Sequence, residues 1–285
     1  MQLLSLRSGR LAVDLAPSAG GSIARFTAGD SMNLLRPTSA EAIASGRGND
    51  SSCYPLVPFS NRIANGRLAV DGEEIRLEPN WPGVRHPMHG DGWARPWEVE
   101  RHDARSADIA YAHDGRKGWP FRYRARQSFR LEDDRLVVGM AVENLESRSV
   151  PAGLGLHPFF SRDDDTELAC RTRGVWRTDA EVLPLERVAV PPEWSFAISR
   201  PVREVVLDNC FDGWDGHAKV TWPRHGLQLD LTASEPFRHL VIYIPEGRAF
   251  FCVEPVSHAS GAVGRSLLAA GTTLAGEIVF RLSNL

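Results

Sequence analysis

The sequence predicts an all-β fold: one large antiparallel β-sandwich, a single domain over residues 1–285. Three observations predict it. Apolar residues alternate with polar ones at period two in segment after segment. The 25 glycines and 19 prolines are scattered between those segments as turn punctuation and do not pool into a linker. Sustained 3.6-residue periodicity is scarce, and there is no internal repeat.

Each element follows from its own pattern. Leu11, Val13 and Leu15 share one face and run into the turn-forming Pro17-Ser18-Ala19-Gly20-Gly21. Residues 38–45 are the one short helical candidate. Leu136, Val138, Met140 and Val142 alternate with Val137, Gly139, Ala141 and Glu143, and Leu227, Leu229 and Leu231 with Gln228, Asp230 and Thr232. Residues 239–244 read as a more buried strand closed by Pro245-Glu246-Gly247, and Ile278 and Phe280 mark a last strand.

Composition narrows the function. Apolar residues make up 42% of 285, enough for a real core. A formal charge of −3 lacks the basic footprint of a nucleic-acid binder and suits a neutral small molecule. Cys53, Cys170, Cys210 and Cys252 lie far apart without a paired motif, so they read as reduced thiols and not as a zinc or redox site. Apolar residues 3–6 are cut short by Arg7 and Arg10, unlike a signal peptide, and no run reaches membrane-span length. A cytoplasmic protein with no membrane association is the expectation; monomer and homodimer stay open.

Five segments carry candidate chemistry. In residues 58–67, Arg62 offers a planar fork of donors for neighbouring hydroxyls and Asn61 both a donor and an acceptor; alone, the segment reads first as a surface turn with a solvated arginine. His86 and His89 are three apart, but Pro87 and Gly90 argue against a helix that would pair them on a metal, so a single histidine donating to a ligand oxygen, or a plain loop histidine, fits better. His157, held extended by Pro158 and followed by Phe159 and Phe160, suits an aromatic-lined pocket or an aromatic core. Residues 207–214 read as an Asx-rich turn in which Asp208 could accept from hydroxyls. Glu254 closes the apolar run from Phe250, where burial would raise its pKa and make it a better base.

In this order the segments resemble the aldose 1-epimerase (mutarotase) family. Gly20-Gly21-Ser22-Ile23, Asn61-Arg62-Ile63, His89-Gly90 with Trp97 downstream, His157-Pro158-Phe159, the Asp208 to Phe211 segment and Glu254-Pro255 carry the resemblance over most of the chain. It implies a galactose mutarotase-like supersandwich acting on a free aldose without metal or cofactor. It further implies Glu254 as general base, His157 as general acid, His89 as the histidine that polarises the ring oxygen or orients the sugar, and Asn61, Arg62 and Asp208 as hydroxyl-binding residues.

The chain departs from the family pattern where a glutamine is common: its strand reads Leu240-Val241-Ile242-Tyr243, and His89-Gly90 is followed by Asp91. These departures leave the sugar open. Three other readings compete. A glycoside hydrolase or lyase would use Glu254 and Asp208. A non-catalytic sugar-binding module would use Trp93, Trp97, Trp119 and Trp214 as a platform. A sugar-phosphate epimerase would need Arg62, Arg67, Arg85 and Arg95 to converge.

Overall fold

The computed structural model describes residues 3–29, 31–70, 72–81, 83–116 and 118–285. Among these residues an eleven-stranded sheet packs on a nine-stranded sheet, and every strand pair is antiparallel. This is the large antiparallel β-sandwich that the period-two alternation predicts. The segments identified by alternation fall in strands Leu11–Ala16, Arg135–Asn144, Leu227–Ala233, His239–Ile244 and Thr273–Asn284. The helical candidate forms Ala40–Ala44, capped by Ser39.

One correction concerns residues 207–214. They do not form an Asx turn: Leu207–Asp212 is a strand in register with His239–Ile244, and the chain turns only at Gly213. The backbone amides that an isolated Asx turn would satisfy locally are taken by a partner strand about thirty residues away. Glu254 also lies inside its strand, Phe250–Val256, not at its end.

The sheets are joined by a continuous apolar core. Phe160 and Phe26 of the larger sheet meet Phe280 of the smaller one at ring-centroid distances of 6.3 and 6.0 Å. Strand alternation then sorts the larger sheet's side chains. Leu156, Phe160, Leu240, Ile242, Phe251 and Val253 enter this core, whereas Tyr54, Phe159, Val241 and Cys252 join a second cluster on the opposite face. Residues at odd and even positions of the same strands therefore serve stability on one face and a site on the other.

Candidate active site

Five neighbouring strands form the floor of a cavity of about 320 Å³: Cys53–Leu56, Gly155–Ser161, Phe250–Val256, His239–Ile244 and Leu207–Asp212, in that order across the sheet. Its size sits at the small end of the range of roughly 300–1,000 Å³ for small-molecule sites. His157, Glu254, His89, Asn61, Arg62 and Asp208 all line it, although they come from residues nearly two hundred positions apart.

His157 pairs in register with Tyr54. Its imidazole stacks on Tyr54 at 4.6 Å and on Phe159 at 4.5 Å. On the next strand Glu254 points to the same face, and its Oε1 lies 3.2 Å from His157 Nε2. Both side chains are almost fully buried. Burial drives the Glu254 carboxyl well above the usual carboxylate range, and the nearby Asp208 charge adds to this while Arg62 opposes it. Burial lowers the His157 imidazole well below its usual value, with His89 and Arg36 acting in the same direction.

His89 belongs to a loop folded over the sheet. It adopts a left-handed backbone at φ 62°, as does Asn61 at 58°. The Asn61 amide donates to His89 Nδ1 at 3.1 Å, which makes Nδ1 an acceptor and leaves the proton on Nε2. Burial, aided by Arg62, lowers the His89 pKa to about 3, so the ring is a neutral N–H donor at ordinary pH. Gly90 follows at φ 68°, and a Cβ there would stand 2.0 Å from the Val57 carbonyl oxygen. That close approach explains why the residue is glycine.

Asp208 is half-buried. Burial raises its carboxyl above the ordinary range, and Arg62 pulls it back. Asp208 and Glu254 sit two strands apart and two residues out of register, Asp208 pairing with Tyr243 and Glu254 with Val241 on the strand between them.

Other expectations fail on burial and position. Trp93, Trp97, Trp119 and Trp214 are buried at 0–4% exposure and form no platform. A tryptophan pattern cannot distinguish a packed indole from one facing ligand, and the indole that does line the cavity is Trp81. Of the four arginines weighed for a phosphate, only Arg62 reaches the cavity. Arg67 is exposed, Arg85 lies 3.8 Å from Glu181, and Arg95 lies 3.8 Å from Asp91. His86 does not join His89 at a metal: its Nδ1 accepts from the Asn65 amide at 3.0 Å.

The structure adds residues that linear reading missed. Arg36, Asn49, Asp50, Tyr54, Trp81 and Tyr243 line the cavity. His258 supports it from behind: Nε2 accepts from the Ser60 amide at 3.2 Å and Nδ1 donates to the Ala259 carbonyl at 2.9 Å, bracing the segment that carries Asn61. Among the described residues, one trio has donor atoms near enough for a metal, His157, Cys252 and Glu254, all within 4.8 Å of one another. Burial pushes the Cys252 thiol pKa up, which disfavours the thiolate a soft metal would need.

Comparison with known proteins identifies the family. The aldose 1-epimerase family profile matches residues 2–281. The chain belongs to the aldose 1-epimerase family. Within it, the uncharacterized protein YphB of Escherichia coli (strain K12) is 33% identical over 267 residues, covering 91% of this chain and 89% of that protein. An aldose 1-epimerase of the same organism is 28% identical over 137 residues, covering 47% of this chain and 38% of that enzyme. A crystal structure from E. coli K12 of a protein assigned to the aldose 1-epimerases superposes with a TM-score of 0.91 at 32% identity, covering 100% of this chain and 99% of that one. A galactose mutarotase-like protein of Clostridium acetobutylicum reaches 0.88 at 17% identity, covering 99% and 95%, and shares the fold. No helix among the described residues is long and apolar enough to cross a membrane.

Proposed function

We propose that this protein is a mutarotase, an isomerase that interconverts the α and β anomers of a free aldose through the open-chain aldehyde. The observation that carries the reading is the 3.2 Å contact between His157 Nε2 and Glu254 Oε1 on the cavity floor. Ring opening requires a proton to leave the C1 hydroxyl while another reaches the ring oxygen. Those two oxygens are bonded to the same carbon. An acid and a base that serve them must therefore stand side by side, as this pair does, and not across the ring from each other.

The electrostatics suit a pair that carries one proton. Burial favours the uncharged arrangement, with a protonated Glu254 and a neutral His157. Moving that proton across the contact gives carboxylate and imidazolium, the arrangement needed for base and acid, at no change in net charge. Glu254 then takes the C1 hydroxyl proton and His157 delivers its own to the ring oxygen. The C1–C2 bond rotates, and the two groups exchange roles as the ring closes on the other face. Each positioned group supplies roughly 10²–10⁴ in rate. His89 Nε2–H polarises the ring oxygen or a neighbouring hydroxyl, while Asn61, Arg62 and Asp208 hold the remaining hydroxyls.

A glycoside hydrolase fits less well, because its chemistry needs two carboxyl groups flanking the scissile bond, whereas the group in contact with Glu254 is the His157 imidazole. The test is polarimetry of freshly dissolved α-anomers over a panel of hexoses, pentoses and deoxy sugars. Accelerated equilibration of at least one sugar is expected. Binding without acceleration would turn the reading into a sugar-binding module, and release of free sugar from a glycoside would turn it into a hydrolase.

A further inference from the structure

We propose that Arg36, Asn49 and Asp50 form a second hydroxyl-reading wall of this cavity, and that it takes the exocyclic hydroxyl of a neutral hexopyranose. The inference rests on the mutarotase reading and adds a substrate class to it.

Arg36 is fixed in place before any ligand arrives. Its amide donates to the Phe159 carbonyl at 2.8 Å, which holds it beside the strand of His157. Its guanidinium carbon lies 3.4 Å over the Phe159 ring and 4.7 Å over that of Phe250. Nε and Nη2 donate to the Ser51 carbonyl at 3.1 and 3.0 Å, and Nη2 reaches the Asn49 carbonyl at 3.3 Å. Nη1 has no protein acceptor among the described residues. A half-buried cation anchored on one edge is a pre-organised donor on the other.

Asn49 supplies the complement. Its Nδ2 turns to Asp50 Oδ2 at 3.4 Å, the only sensible orientation because a carboxylate solely accepts. That leaves Oδ1, which is buried and has no donor. A buried amide oxygen without a donor is costly, and its residue lines the cavity beside Arg36 and Asp50. Free donor and free acceptor together match a hydroxyl, which can accept from Arg36 and donate to Asn49 or Asp50. A carboxylate or phosphate has no proton to give Asn49 and would face the Asp50 charge.

Position selects which hydroxyl. Phe159, under Arg36, stacks on His157, the group that serves the ring oxygen. Beyond the ring oxygen, away from C1, the next carbon is C5 with its exocyclic substituent. On the opposite flank Val241 stands next to Glu254, with Asp208 and Tyr243 beyond it, so the Arg36 wall reads a different edge of the ring from Asp208.

The experiment measures kcat/KM by anomer-exchange NMR for galactose and glucose, their 6-deoxy analogues, their uronic acids and two pentoses. Wild-type protein, Arg36→Met, Arg36→Lys and Asn49→Leu are compared, with far-ultraviolet circular dichroism checking the fold. Wild type should favour the better hexose over its 6-deoxy analogue by about tenfold or more, the cost of leaving a buried polar group unpaired. Arg36→Met and Asn49→Leu should move that ratio toward one, mainly through KM, and Arg36→Lys should restore part of it. Equal rates for hexose and 6-deoxy sugar in wild type, a preference for uronates, or turnover of pentoses only would overturn the inference and leave the mutarotase reading standing. The wild-type ratio decides even if a variant does not fold. Failure to turn over any aldose would sink the mutarotase reading itself and this inference with it.

Discussion

Asn61 and His89 hold each other in place. The Asn61 amide donates to His89 Nδ1 at 3.1 Å, and the His89 amide donates to the Asn61 carbonyl at 3.0 Å. Both residues sit at positive φ, so the reciprocal pair fixes the backbone of two loops and the tautomer of the imidazole together. Because Asn61 contributes through its amide, glycine at this position keeps the bond and the conformation, whereas a β-branched residue keeps the bond and opposes the conformation. Asn61→Val should lose about 1–3 kcal/mol relative to Asn61→Gly in urea unfolding. Equal stability of the two variants would show that the left-handed turn is not under strain.

Gly90→Ala should be worse. The added methyl would meet the Val57 carbonyl oxygen at 2.0 Å, and that same oxygen accepts from the Asp91 and Gly92 amides at 3.1 Å. A loss of at least about 2 kcal/mol in denaturant unfolding is expected. A variant as stable as wild type would contradict the close approach.

Acid should destabilise the fold through two buried histidines. Burial lowers His258 to about 4 and His89 to about 3, from 6.5. A depressed folded-state pKa contributes stability that is present above the unfolded value and lost as pH falls. The loss therefore begins near pH 6.5 and runs to about pH 4 for His258, where it amounts to on the order of 3 kcal/mol. Burial is the cause, and protonation would also break a bond: His258 Nε2 accepts from the Ser60 amide and cannot do so once protonated. Tm measured from pH 7 to 4 should fall steadily. Imidazole NMR signals of these residues titrating near 6.5 in the folded protein would contradict the assignment.

The proposed acid–base pair, His157 and Glu254, makes a prediction for pH–rate profiles. A pair that works with one shared proton loses activity when it gains a second or loses the first, so kcat should be bell-shaped. Asp208 raises the Glu254 pKa. Replacing its charge in Asp208→Asn should move the acidic limb of the kcat profile to lower pH, even if KM rises because a hydroxyl contact is lost. An unmoved profile would mean that the two carboxyl groups do not interact.

Much of the architecture was legible in the sequence because alternation is a local signal. Leu227, Leu229 and Leu231 declare a half-buried strand whatever lies beside it, and Pro158 next to His157 declares an extended backbone. Glu254 was legible as an anomaly, a carboxylate within an apolar run. Strand order was not legible. Cys53–Leu56 pairs with Gly155–Ser161 a hundred residues later, and that pairing brings Tyr54 onto the His157 ring. Arg36 and Asn49 reach the cavity through the same long-range order, and nothing around either of them in the chain signals it. The tryptophans misled for a related reason: Trp93 and Trp214 bury apolar area in packed surroundings that composition cannot see, and only Trp81 faces the cavity. The turn reading of Asp208 failed because a partner strand, absent from the local pattern, took over its backbone amides.

The most direct test is two-dimensional exchange NMR on an equilibrated anomer pair of the best substrate, with Glu254→Gln and His157→Asn measured beside wild type. Sugar affinity is read in parallel by calorimetry. Both variants keep approximate shape and lose proton-transfer capacity. The account predicts that each slows anomer exchange by at least about 10² while sugar affinity changes little. Exchange at close to the wild-type rate in either variant, with sugar still bound, would contradict the pair as acid and base.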